Sequence, residues 1–337
     1  MSLDIFNPTM SVIADGLEGK VILIYGGNNL GKTQQATRFK KPYVIATELG
    51  LNGIDGIPYA PVTRWSDFKT LIRQFTSPAT KAKAKELYST IIIDEVYASS
   101  IYAQDYVCQT YGDGALTMAD GDSKHNLYKL YETEYFRQIN LLTNAGYTVV
   151  FIAHAQTDSK TGFITPKGDK RCINPILDKC DYVVYLKGNG VDENNNVIKS
   201  SGYLAATKEF FARARIEYTP TFIKEFTAEN LAQAIQIGID KKREIDKATV
   251  VSFEEQHAMN VTEELDFDAL VHEFNEIVNK QIAQCNNNEK EIMKLSGQIS
   301  QIVEKNLGKG KKVNECNSNQ AEAIKIIIDD LKEVFTS

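Results

Sequence analysis

Along the first half of the chain, short apolar runs alternate with stretches in which apolar residues recur at helical spacing. The runs are "KVILIYG" (20–26), "YVIATE" (43–48), "STIIIDEV" (89–96) and "YTVVFIAHAQ" (147–156). Runs apolar at successive positions must be covered on both faces, which predicts parallel strands with helical crossovers. The intervening pattern predicts a helix from Gly31, another around "WSDFKTLIRQF" (65–75), and a long one over "LYKLYETEYFRQINLLTNAG" (127–146). Together they predict a doubly wound α/β core.

After residue 180 the pattern changes to "DYVVYLKG", the Asn-rich turn "VDENNNV", "SGYLAAT" and "ARARIEY", which predicts a late antiparallel hairpin at the sheet edge. "TAENLAQAIQIGIDKKREI" then reads as an amphipathic helix with Thr227 as its N-cap. A polar stretch follows, and beyond it three segments carry apolar residues at helical spacing. The predicted organisation is an N-terminal extension (1–17), an α/β core (18–245), a linker (246–262) and a small α-helical domain (263–337).

Composition refines this picture. Of 337 residues, 24% are charged and 43% hydrophobic, as in a folded globular protein. No run of about 18 apolar residues occurs and no leader pattern opens the chain, so a protein with no membrane partner, working in the cytoplasm, is expected. Five scattered cysteines without a CxxC pattern are read as reduced thiols. The net charge of −6 sits at one end, because residues 251–337 hold 9 lysines against 16 acidic residues. Like charge repels a nucleic-acid backbone, so this tail, with "LGKGKK" its small basic exception, is expected to dock a protein partner or support oligomerisation.

"GGNNLGKTQ" follows the first apolar run and contains G-x-x-x-x-G-K-T. In a strand–loop–helix context this spacing cradles phosphates, and it predicts nucleotide contacts from Gly26, Gly27, Asn28, Asn29, Leu30, Gly31, Lys32, Thr33 and Gln34. Lys32 would reach the β/γ-phosphates, Thr33 would ligate Mg²⁺, and the following helix would add its positive dipole end. Asp94, closing "TIIID", is the expected second Mg²⁺ anchor, on a strand expected beside the phosphate-loop strand. ATP and Mg²⁺ are therefore the predicted cofactors.

Hydrolysis also needs a group that orients or deprotonates water. Glu48 and Glu95 both qualify, each at the end of a predicted strand. His154 and Gln156 close the fourth strand at the carboxyl edge, where ligands bind in open α/β sheets. Two long loops are expected, 109–125 and 157–175. The second combines Lys160, Lys167, Lys170 and Arg171 with Phe163, a mixture suited to pairing phosphates and stacking a base of single-stranded DNA.

The order of these motifs over residues 18 to about 245, with "ATELGLNGIDGIPYAPVTRWSDFKTLI" and "TAENLAQAI", resembles the phage and prophage RecA-like P-loop ATPases linked to single-strand annealing and recombination. The resemblance implies a RecA-like core with Glu48 as base, a γ-phosphate sensor at His154 or Gln156, and DNA-binding loops at the two long loops. It also implies a homo-oligomer in which a basic residue from "TKEFFARAR", Lys208 or Arg213, enters the neighbouring subunit's site. Glu95 stands where that family more usually has a small hydroxyl residue and fits an AAA-type arrangement instead. The expected function is a Mg²⁺-dependent ATPase acting on single-stranded DNA. Its rivals are a nucleotide-gated assembly module with little turnover and a P-loop small-molecule phosphotransferase.

Overall fold

The apolar runs become strands of one sheet in the computed structural model of the protein, which describes residues 5–48, 50–120, 124–260, 265–286 and 288–336. The chain divides into two units, the first ending at Asn260. In chain order the first unit contains β1 (Ile13–Ala14), β2 (Val21–Gly26), α1 (Lys32–Ala36), β3 (Pro42–Ala46), β4 (Tyr59–Pro61), α2 (Trp65–Thr76), α3 (Lys81–Leu87), β5 (Thr90–Asp94), α4 (Val96–Tyr111) and α5 (Leu127–Asn144). It continues with β6 (Thr148–Thr157), β7 (Ile164–Pro166), α6 (Lys170–Lys179), β8 (Tyr182–Lys187), β9 (Ser201–Tyr203), β10 (Arg213–Ala214), β11 (Phe222–Ile223), α7 (Ala228–Ile245), β12 (Val250–Val251) and α8 (Phe253–Asn260).

The main sheet runs β11-β9-β8-β2-β6-β5-β3-β4 and is parallel from β8 to β4. β9 joins β8 antiparallel and β11 joins β9 antiparallel. Alternate residues of each strand enter opposite cores, as the period of two requires. Val21, Leu23, Tyr25, Ile91, Ile93, Val149 and Phe151 pack under α2, α4, α5 and α6. Ile22, Ile24, Ile92, Val150 and Ile152 pack under α1 and α7 on the other face. The α/β architecture with a mostly parallel sheet is thus as expected. One placement differs: β6 stands between β2 and β5, so the Asp94 strand is not beside the phosphate-loop strand.

α4 escaped the hydrophobic pattern because its buried face is built from Val96, Ser99, Ser100, Ala103, Val107 and Cys108. The two serine hydroxyls pair with buried tyrosines, Ser99 with Tyr135 at 2.8 Å and Ser100 with Tyr131 at 2.9 Å, so polar residues line a core face without being left unsatisfied. This helix absorbs the start of the loop expected at 109–125, of which residues 121–123 lie outside the described residues.

The expected linker is also partly ordered structure. β1 pairs in parallel with β12, and Gln256 Nε2 donates to the Val12 carbonyl at 2.7 Å. α8 has no buried residue, but the Phe253 ring at its start is wedged against two glycines. A Cβ at Gly19 would lie 2.3 Å from that ring, and one at Gly146 2.9 Å from it. The segment 250–260 therefore closes on the end of the sheet where β2 and β6 begin. The rest of the proposed linker, 261–262, lies outside the described residues.

The second unit contains α9 (Phe267–Gln284), α10 (Glu289–Leu307) and α11 (Ala321–Thr336) around Leu270, Leu295, Ile299, Val303, Ile324, Ile327, Ile328 and Leu331. Asp266 and Asn288 side chains accept from the first-turn N–H groups of Ala269 and Lys290.

Because the Phe253 ring is the main apolar anchor of a helix with no buried residue, Phe253→Ala or Gly19→Val should cost about 1–3 kcal/mol and expose residues 250–260 to proteolysis. Gly53→Val, at a position with nothing within 4 Å, should leave the melting temperature and the cleavage pattern unchanged.

Candidate functional site

β2 is buried throughout and delivers the chain to the glycine loop at the carboxyl edge of the sheet. At Gly26 the neighbouring strand presses close, since a Cβ there would lie 2.7 Å from the Leu186 carbonyl oxygen. Left-handed residues at Asn29 (φ 58°) and Gly31 (φ 78°) then curl the loop back, a conformation asparagine and glycine tolerate best. Asn28, Asn29 and Gln34 are exposed, while the Leu30 carbonyl is held by Ser200 Oγ at 3.1 Å.

Lys32 is only 7% exposed, and its ammonium donates to the Gly27 carbonyl at 2.6 Å and the Gly26 carbonyl at 3.3 Å. Burial lowers its pKa, with the Asp94 and Glu95 carboxyls acting against that shift. α1 spans only five residues, so the expected dipole contribution is small and the unpaired N–H groups of its first turn are what remains to meet an anion. The buried Gln35 Oε1 accepts from Ala228 N at 3.3 Å and fastens this short helix to α7.

Across the site, Thr33 Oγ1 donates to Asp94 Oδ2 at 2.8 Å. Asp94 is 6% exposed, and burial raises its pKa, Glu48 adding to the rise while Thr33 and Lys32 oppose it. Its main chain is clamped as well: the Asp94 carbonyl accepts from Thr47 N at 2.7 Å, and Thr47 Oγ1 donates to the Glu95 carbonyl at 2.9 Å. Gly50 lies directly against the carboxylate, where a Cβ would sit 2.6 Å from Asp94 Oδ2. Neither Thr47 nor Gly50 was singled out in the sequence, and a threonine and a glycine just past a strand are faint signals. A hydroxyl beside a carboxylate is a hard-oxygen donor set that suits Mg²⁺. Among the described residues no group of three or more His, Cys, Asp or Glu could cage a metal alone, so phosphate and water oxygens would complete the shell.

The two glutamates differ sharply. Glu95 is 1% exposed; Oε2 accepts weakly from His154 N at 3.4 Å, and Oε1 has no partner among the described residues. Burial, with Glu48 nearby, pushes its carboxyl up to about 7. Glu48 is 46% exposed at its side chain, two residues past β3, with Oε2 3.9 Å from His154 Nε2. Burial lowers the His154 pKa, with Lys32 and Lys167 adding and Glu48 opposing, so the imidazole is neutral near pH 7.

His154 pairs with Gly26 in register, which sets it beside the phosphate loop. Gln156 points onward instead: Nε2 reaches the Gly168 carbonyl at 3.4 Å, and Gly168 N donates to Oε1 at 3.3 Å. The His154 carbonyl accepts from Lys167 N at 2.8 Å.

The loop expected at 157–175 is in fact a hairpin and a helix. β6 turns at 158–163 into antiparallel β7, and α6 starts at Lys170 with Asp169 as its cap. Asp158 Oδ1 closes the turn by accepting from Lys160 N and Thr161 N, and Phe163 at its end is half-buried. Lys167, Lys170 and Arg171 are exposed at the foot of the hairpin.

Of the two residues expected to reach a neighbour, Arg213 does not project. Its guanidinium donates to the Leu177 carbonyl at 2.8 Å, the Asp178 carbonyl at 3.1 Å and the Cys180 carbonyl, capping the end of α6. Lys208 is exposed in a turn laid along β7, where Ile164 N donates to the Glu209 carbonyl at 2.8 Å.

A glycine loop between a buried strand and a helix, with a buried lysine and a threonine facing an aspartate at a strand end, defines a P-loop nucleotide-binding domain. Residues 18–216 match the model of the AAA domain family, and the chain belongs to that family. Over 334 residues it is 48% identical to the SPbeta prophage-derived uncharacterized protein YorG of Bacillus subtilis (strain 168), covering 99% of each chain. Among the described residues no helix is long and apolar enough to cross a membrane.

Two consequences follow from the packing. Gly50→Ala should displace the Asp94 carboxylate and lower nucleotide turnover roughly ten- to a hundred-fold, measured as phosphate release, while the fold persists by circular dichroism. A buried acid with a raised folded-state pKa binds its proton more tightly when folded, so stability falls as pH rises from 4.5 towards about 7. Glu95→Gln should therefore stabilise the nucleotide-free protein at pH 8 by on the order of 1–3 kcal/mol, seen as a higher melting temperature, and the gain should vanish near pH 4.5.

Proposed function

We propose that this protein is a Mg²⁺-dependent ATPase with a RecA-like core that couples turnover to single-stranded DNA, as a homo-oligomer serving phage recombination, annealing or replication in the host cytoplasm. The observation that carries the reading is the 2.8 Å contact of Thr33 with Asp94 at one end of a short chain of bonds and the Lys167 turn, held by the His154 carbonyl, at the other. β6 links the two, since His154 N donates to Glu95 beside Asp94 and the His154 carbonyl accepts from Lys167 N.

On this reading Lys32 exchanges the Gly26 and Gly27 carbonyls for phosphate oxygens, a swap that relieves a buried ammonium with a buried anion. Mg²⁺ held by Thr33 and Asp94 would neutralise charge on the phosphates. Glu48, open to solvent yet 3.9 Å from His154, orients the attacking water and accepts its proton. Glu95, sealed beneath the His154 strand, positions that strand. Gln156 carries the state of the site to Gly168, and with Arg213 engaged in its own subunit, Lys208 is the residue that reaches a neighbouring one. The acidic helical unit serves as a docking module for a protein partner.

Lys32→Ala should abolish ATP turnover, and Glu48→Gln should lower it by roughly 10²–10⁴ while retaining ATP binding. Single-stranded DNA should raise the wild-type rate of phosphate release. Undiminished hydrolysis by Lys32→Ala would sink the ATPase reading, and a rate indifferent to DNA would sink the coupling.

A further inference from the structure

Three cations lie over aromatic rings on one side of the core. Lys167 Nζ is 5.0 Å from the centre of the Tyr97 ring, the Arg171 guanidinium carbon 3.9 Å from that of Tyr128, and Lys179 Nζ 5.8 Å from that of Phe136. Tyr128 and Phe136 are eight residues apart on α5, as are Arg171 and Lys179 on α6. The matched pairs mean that the two helices run side by side in the same direction, with successive stations about 12 Å apart along the axis. Tyr97 is the second residue of α4, and Lys167 is held by the His154 carbonyl, so the row begins at the nucleotide edge of the sheet.

All six side chains are accessible. The three cations are exposed and the three rings half-buried, with Tyr128 and Phe136 resting on the core beneath. Residues 157–180 carry five basic and three acidic side chains in a chain whose net charge is −6. Two of those acids are spent on local backbone: Asp158 accepts from Lys160 N and Thr161 N, and Asp169 accepts from Arg171 N at 2.8 Å. Among the described residues Lys167, Lys170 and Lys179 have no ion-pair partner, and Arg171 has only Asp169 at 3.8 Å.

We propose that the row Tyr97/Lys167, Tyr128/Arg171 and Phe136/Lys179 is a track for single-stranded nucleic acid running outward from the ATP site. The inference rests on the DNA-coupled reading and extends its contact surface from the hairpin onto α5 and α6. Unpaired bases offer π-faces that stack on rings and on a guanidinium plane, while the ammonium groups meet the phosphates. A duplex hides those faces, so the chemistry favours single strands. Arg171, already seated over the Tyr128 ring, is placed before any ligand arrives, which lowers the entropy cost of binding.

The test uses the full-length protein and fluorescein-labelled oligothymidylate, read by fluorescence anisotropy at several salt concentrations. Tyr128→Ala and Phe136→Ala should each weaken binding about ten-fold or more, and Tyr128→Phe, which keeps the ring, should retain it. Lys179→Ala should weaken binding and reduce the salt slope by about one, whereas Lys241→Ala on α7 should change neither. Lys179 is exposed, so this arm survives if a ring variant unfolds. Wild-type affinity in Lys179→Ala and in the folded ring variants overturns the track but leaves DNA coupling standing. Tighter binding of a duplex of the same length overturns the track likewise, and failure of the wild type to bind any single strand overturns both.

Discussion

The 2.8 Å bond between Thr33 and Asp94 joins the first turn of α1, the helix that follows β2, to the end of β5, a strand that is not a neighbour of β2 in the sheet. Everything needed to hold it is expensive: a buried ammonium, a buried aspartate and a buried glutamate share one small space. Their mutual attraction and the loop carbonyls offset only part of that cost, and the remainder is what makes the site receptive to a phosphate and a cation. The two-sided burial of β2, β5 and β6 supplies the rigidity, since strands packed on both faces cannot drift to relieve the strain of crowded charge.

β6 gives this arrangement its reach. By standing between β2 and β5 it brings His154 level with Gly26, and by running past the register of Asp94 it carries Gln156 out to Gly168. A polar strand end is thus bonded to the nucleotide site on one side and to a basic turn on the other. The two glutamates flank it, one sealed and one open to water, so the same residue type meets two different environments a few ångströms apart.

Several differences between expectation and structure share a cause. α4 hides its helical period because two of its core positions are serines satisfied by tyrosines from α5, a compensation no single segment reveals. Residues 157–175 read as a polar loop because a short hairpin and a capped helix start leave few apolar residues in a row. Arg213 looked available because its type suits a reaching role; its partners are carbonyls at the end of a helix 33 to 36 residues earlier. The glycines at 19 and 146 mean nothing until Phe253 lies against them.

The sequence by itself determined the parallel α/β core, the phosphate loop and the candidate carboxylates, because each is written in local spacing: apolar runs, a glycine period, an acid at a strand end. Only the tertiary structure decided which strands are adjacent, which glutamate is buried, where Arg213 points, and that Gly50 lies against Asp94. Those depend on contacts between residues far apart in the chain, where burial and neighbouring charge, rather than residue type, set what a side chain can do.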